Sequence, residues 1–266
     1  MESRNPVFNR NEEFQRGGYA TFDTRTPSAD ELSDMYAAPA ATSLDTGRMT
    51  LDDVVIRTAT LFAAMLLTAA PTFLLLKPEQ FGLVLVAAIV GLVLGLVNSF
   101  KRNPSPVLMV AYALVQGVFV GGISSLYEAR WNGIVVQAVL GTLAAFGSML
   151  LLYRTGKVRN SPKFQKTLII AGVGYLIFGL VHMLGVVFGW WSSIYAGGGM
   201  LAIVISAFGV LLASFFLVLD FDFVEQGLRN GIPSKYAWTA AFGLVVTLIW
   251  LYLEILRLIA ILRGDD

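Results

Sequence analysis

The chain has 266 residues, of which 56% are hydrophobic and only 14% charged, with 19 Lys and Arg against 18 Asp and Glu. A soluble domain of this size carries roughly a quarter of charged residues and could not hide so much apolar surface. The near-zero net charge excludes a global basic footprint for nucleic acid. The absence of cysteine excludes disulfides, thiol catalysis, iron–sulfur clusters and thiolate-held zinc.

Residues 1–50 are rich in Arg, Asn, Ser, Thr, Asp and Pro and show no sustained helical or strand period. So little apolar surface cannot offset chain entropy, which predicts a disordered tail, with Phe8, Phe14, Tyr19 and Phe22 as short docking points. No cleavable leader is evident, because the first apolar run is long enough to be a true span.

Residues 51–266 read as an all-α, polytopic membrane domain, a bundle of seven transmembrane helices. A span needs roughly 20 apolar residues to cross the hydrocarbon of a bilayer. The predicted spans are Val54–Leu76, Phe81–Phe100, Pro106–Leu126, Ile134–Tyr153, Thr167–Phe188, Tyr195–Leu219 and Ala237–Leu262. Turn chemistry separates them, as in Lys77-Pro78, Asn103-Pro104-Ser105-Pro106, Trp131-Asn132-Gly133, Asn160-Ser161-Pro162 and Gly231-Ile232-Pro233-Ser234. Spans one and two, separated by Lys77–Gln80, are expected to form a tight hairpin.

Orientation follows from Lys and Arg. Arg48, Arg57, Lys101, Arg102, Arg154, Lys157, Arg159, Lys163, Lys166, Arg229 and Lys235 fall on one side, and Lys77, Arg130 and Arg263 on the other. The positive-inside rule then puts the N-terminus, and so the tail, in the cytoplasm and the C-terminus outside, in a cell membrane. Trp131, Trp190, Trp191 and Tyr195 fall at the outer interface, as belt residues do. Gly91 and Gly95, and likewise Gly117 and Gly121, are four apart and mark helix contacts. Gly197-Gly198-Gly199 opens span six and marks a close approach or a flexible start.

No phosphate-cradling loop, His-Glu-x-x-His or Gly-x-Ser-x-Gly motif occurs, so an enzyme is not expected, nor a cofactor. His182, the single histidine, reads as a packing residue within a span. The acids stand out instead. Asp220, Asp222 and Glu225 close span six, where the helix dipole favours cations, so protonation, a basic partner or a bound cation must compensate. Glu225 lies five residues from Asp220, which keeps the three acids off a common face, and one of them is expected to enter the bundle. Glu254 lies inside the last apolar run with Arg257 three residues on, within reach for an ion pair snorkelling to the outer interface.

On these residues the chain resembles the Bax-inhibitor family of seven-span membrane proteins, and its actinobacterial branch. The resemblance covers the spans, and Ser3-Arg4-Asn5-Pro6-Val7-Phe8 also looks like that branch. Its most specific part is the final hairpin, Gly198-Gly199-Met200-Leu201 leading into Phe216-Leu217-Val218-Leu219-Asp220, and then Leu256-Arg257-Leu258. The resemblance implies a pH-sensitive calcium leak in which two aspartates of the last two pore-lining spans share a proton that biases closed and open states.

Asp220 matches the first aspartate and is the expected site for the ion. Glu254 or Thr247 matches the second, depending on whether Leu251-Tyr252-Leu253 or Leu256-Arg257-Leu258 is aligned. Hairpin symmetry favours Thr247. Asp220 and Thr247 are equidistant from the Ile232-Pro233 turn, whereas Glu254 lies seven residues further on, about 10 Å along the axis. Arg102, Arg229 and Lys235 are candidate cytoplasmic partners that latch the acids in a closed state.

The function expected is therefore a cation leak gated by carboxylate protonation, with calcium as the permeant ion and the lipid bilayer as surroundings. The alternative is a membrane scaffold or regulator that binds a membrane protein partner, such as a protease or stress-response protein, with the acids serving only helix packing.

Overall fold

A computed structural model of the chain describes Ser28 and residues 47–195 and 199–264. In that range lie seven helices long and apolar enough to cross a membrane. They are α1 (Leu51–Leu75), α2 (Phe81–Phe100), α3 (Pro106–Arg130), α4 (Ile134–Arg154), α5 (Pro162–Val187), α6 (Met200–Arg229) and α7 (Ala237–Arg263). Among the described residues no strand is formed, only an isolated bridge between Arg48 and Pro233. The all-α seven-span expectation therefore holds. Hydrocarbon offers backbone groups no partner, so an apolar run of this length satisfies them internally as a helix. The expectations for Ser3–Phe8, for the tail aromatics and for Gly197 and Gly198 lie outside the described residues.

The helix ends differ from the apolar runs for local reasons. Thr50 and Asp53 form a reciprocal capping box that starts α1 three residues before Val54. Ser161 caps the Phe164 N–H, and Pro162 occupies the first turn, so α5 begins five residues before Thr167. The largest difference is in α6, which starts at Met200 and runs ten residues past Leu219 to Arg229. Gln226 donates to Asp222 and Arg229 pairs with Glu225, each one helical turn away, so the polar stretch stays helical.

Helices α6 and α7 form the closest consecutive hairpin, and α7 is the most deeply buried helix while α5 is the least. Helix α1 packs chiefly on α3, and α2 also packs on α3. The short α1–α2 connection therefore does not produce the packed hairpin expected from its length. Small residues on α3 decide this. A Cβ on Gly117 would strike the Met65 carbonyl and the Thr68 hydroxyl, and one on Gly121 would strike the Ala69 carbonyl. The two backbones are in near contact, as small residues in membrane helices permit. On the other side of α3, Val84 of α2 fills the space left by Gly122. Gly91 and Gly95 of α2 lie against Gln116 and Tyr112.

The two ends of the bundle are tied by hydrogen bonds, backbone to backbone at one end and side chain to backbone at the other. Residues 47–50 run antiparallel to the α6–α7 turn, with the Met49 N–H donating to the Ile232 carbonyl at 2.8 Å and the Ser234 N–H to the Gly47 carbonyl at 2.8 Å. Met49 is buried there against Gly227. At the far end of α7, Trp131 Nε1 donates to the Gly264 carbonyl at 2.9 Å, and Arg263 donates to the Asn132 carbonyl at 2.9 Å. Residues 47 and 264 thus sit at opposite ends of a 27-residue helix, about 40 Å apart along its axis.

Candidate functional site

Asp220 lies nine residues before the end of α6 and turns toward α7. Its Oδ1 would lie 3.2 Å from a Cβ built on Gly243, so the absent side chain makes room for the carboxylate. The Thr247 side chain, one turn further along α7, interacts with the same carboxylate. Thr247 is itself buried. The depth match inferred from hairpin symmetry is thus present as a contact. Oδ2 of Asp220 is buried without a hydrogen-bond partner. A buried polar atom left in this state is costly unless a proton, water or ion completes it.

Asp222 and Glu225, three residues apart, share a different face. The Tyr153 hydroxyl at the end of α4 donates to Glu225 and lies 3.5 Å from Asp222. Asp222 also accepts from Asn160 Nδ2 at 2.7 Å and from Gln226 Nε2 at 2.5 Å. Arg229 forms an ion pair with Glu225. Glu225 thus has the basic partner that was one of the expected possibilities, whereas Asp222 is met by the neutral donors Tyr153, Asn160 and Gln226, which the expectation did not include. Asp220 is the one acid of the three that enters the α6–α7 interface.

Glu254 sits nearer the opposite end of α7 and is 3% exposed. It is fully engaged. The Tyr175 hydroxyl of α5 donates to Oε2 at 2.9 Å, Trp250 Nε1 donates to Oε1 at 3.1 Å, and Arg257 pairs with Oε2 at 3.1 Å. Gly209 of α6 leaves the space for this junction, since a Cβ there would lie 2.6 Å from Glu254 Oε2 and strike the Tyr175 hydroxyl. Arg257 lies under the Tyr195 ring, 4.8 Å from its centroid. The ion pair with Arg257 is as expected, but the carboxylate does not snorkel. Burial of Glu254 is sustained by the added donors. No contact joins Glu254 to Asp220 among the described residues.

The sequence profile of the Bax inhibitor 1 like family matches residues 5–264. The chain belongs to that family. It is also 23% identical over 206 residues to an uncharacterized membrane protein of Streptococcus pyogenes serotype M1, covering 72% of this chain and 85% of the relative. With its seven apolar helices, this Bax inhibitor 1 like chain is a multi-pass membrane protein.

Of the three residues proposed as a latch, Arg229 reaches an acid, Glu225, rather than Asp220. Lys235 lies over the Tyr236 ring. Neither Lys235 nor Arg102 enters the ion pairs among the described residues. Arg57 is more engaged than any of them, reaching the Ser234 carbonyl and Asp53 and lying 5.7 Å from the Trp238 ring centroid. His182 is a buried packing residue, stacked on Phe178 and edge-on to Tyr195, with Nε2 unpartnered.

The sequence does not single out Tyr175, Gly209 and Gly243, and it marks Asn160 and Tyr153 only as a turn residue and a span end, not as site residues. Only Tyr175 carried a usable signal, a phenol in the middle of an apolar span, where a hydroxyl needs a partner. Among the described residues no three His, Asp or Glu side chains converge on a common point.

Proposed function

We propose that this protein is a channel-like leak for cations, with calcium as the cargo, gated by protonation at Asp220. The observation that carries the reading is the Asp220 carboxylate, set between α6 and α7 against Gly243 and Thr247 with Oδ2 buried and unpartnered. An ionisable group at such depth is expensive, and one left incompletely paired, unlike Glu254, is a candidate for an ion or proton pathway. Either a proton or a cation would complete it, and a gated leak needs both events. Calcium follows from the family resemblance and from that ion's preference for oxygen ligands. A lone acid backed by a hydroxyl suits transient passage better than a closed cage.

In this reading the protein transports rather than catalyses and needs no cofactor. Thr247 takes the place of a second acid, so the proton is not shared between two carboxylates. Asp222 and Glu225, held on another face of α6 by Tyr153, Asn160, Gln226 and Arg229, stand outside the ion path in this reading. The end of the bundle carrying Arg48, the α4–α5 turn and the α6–α7 turn faces the cytoplasm, and residue 264 faces outward, in accord with the Lys and Arg bias.

The test is calcium flux in proteoliposomes from acid to mildly alkaline pH, comparing the natural protein with Asp220→Ala and Glu254→Gln. Flux that varies with pH, with the variation abolished in Asp220→Ala and retained in Glu254→Gln, is the expected result. A folded protein without flux at any pH would defeat the leak and leave the membrane-scaffold reading, in which these acids only pack helices.

A further inference from the structure

A groove of about 990 Å³ runs between α1 and α4 at the end of the bundle that carries the α6–α7 turn. Val55, Ala59 and Phe62 of α1 line one side, and Phe146 and Leu150 of α4 the other. Val224 and Leu228 of α6 lie between them. Helix α1 packs on α3 and α7, and α4 on α7 and α6, so the slot between α1 and α4 is left unfilled by side chains of either helix. Its walls are apolar at the depth of the first helical turns. Water gains few hydrogen bonds in such a space, so an apolar chain fills it better.

The mouth of the groove is different. Arg154, Arg159 and Arg229 line it, with Asp222 and Glu225. Both acids are already engaged, Asp222 by Asn160 and Gln226, and Glu225 by Tyr153 and Arg229. Arg154 and Arg159 are exposed and enter no ion pair or side-chain hydrogen bond among the described residues. The lining thus carries three guanidiniums against two carboxylates, and the two uncommitted cations stand at the rim of an apolar slot. Lys157 in the same turn adds to the positive field.

We propose that this groove binds an anionic phospholipid, its acyl chain between α1 and α4 and its phosphate held by Arg154 and Arg159. A guanidinium fork matches phosphate oxygens in pairs, and basic pockets between membrane helices recognise such headgroups. A divalent cation fits the mouth less well, because its carboxylates are already taken and guanidiniums stand beside them. The site is independent of whether the protein conducts ions.

The experiment is native mass spectrometry of the delipidated full-length protein, titrated with phosphatidylglycerol, with phosphatidylcholine of the same chains, and with soluble glycerol phosphate. The natural protein is expected to take up phosphatidylglycerol preferentially, and Arg154→Gln with Arg159→Gln to lose about tenfold to thirtyfold of that affinity. A control pair, Lys101→Gln with Arg102→Gln in the α2–α3 turn, removes the same charge and is expected to change nothing. Ala59→Trp, which fills the slot, is expected to weaken both lipids. Equal uptake of the two lipids, equal loss in the control pair, or glycerol phosphate binding as well as the lipid would each overturn the proposal.

Discussion

Glu254 accepts hydrogen bonds from Tyr175 and Trp250 and pairs with Arg257, whereas Asp220, on the neighbouring helix and toward the other end of the bundle, keeps one oxygen buried and unpartnered. Both carboxylates lie in the same α6–α7 pair, and both owe their space to a glycine on the facing helix, Gly209 for Glu254 and Gly243 for Asp220. The difference lies in the donors. Around Glu254 they come from α5 and from α7 itself, and the charge becomes a structural tie between helices. Around Asp220 there is a threonine, and the charge stays available to a proton or a cation. Burial of a charge is therefore not in itself a sign of function. The state of its lone pairs distinguishes the two cases.

That distinction can be broken from the Glu254 side first. Arg257→Met leaves a buried carboxylate without its counter-charge and is expected to cost about 3 kcal/mol in reversible unfolding from mixed micelles. A loss below about 1 kcal/mol would mean that the tyrosine and tryptophan donors suffice and that the ion pair contributes little.

A matched pair of glycine substitutions sharpens the comparison. Gly209→Ala drives a methyl group into the Tyr175–Glu254 hydrogen bond and is expected to destabilise by about 2 kcal/mol. Gly243→Ala meets Asp220 Oδ1 at 3.2 Å, a contact that a slight carboxylate shift relieves. The helix-propensity gain of roughly 0.5–1 kcal/mol then brings the net change near zero. Equal losses at the two positions, read from the same unfolding curves, would mean that the Asp220 site is as rigid as the Glu254 junction.

The smallest effect is expected at Asp220 itself. Asp220→Asn removes an incompletely satisfied charge and should leave the melting temperature unchanged, or raise stability by up to about 1 kcal/mol. A marked fall in melting temperature would show that a donor beyond Thr247 holds the carboxylate in the folded protein, and the two sites would then be alike.

Much of the architecture was legible in the chain. Seven apolar runs bounded by Pro, Gly and Asn turns became seven helices, and the midpoint of the last hairpin was enough to set Thr247 opposite Asp220. The errors were local or topological. Helix α6 continues through its acids because Gln226 and Arg229 lie one turn after Asp222 and Glu225, a pattern that hydropathy does not register. Helix α1 leaves α2 for α3 because Gly117 and Gly121 admit its backbone. The glycine spacing was visible, but its partner helix was not.

The sequence by itself determined that the chain crosses a membrane seven times, because a bilayer obliges each long apolar segment to satisfy its own backbone, which is a local demand. It also determined that Asp220 and Glu254 lie at different depths, because rise per residue is constant in a helix. Only the tertiary structure decided which of the two is satisfied. The hydroxyl that engages Glu254 belongs to Tyr175, 79 residues away, and reaches it because Gly209 lets three helices meet. Such a junction depends on the packing of side chains from separate helices, and no spacing along one segment encodes it.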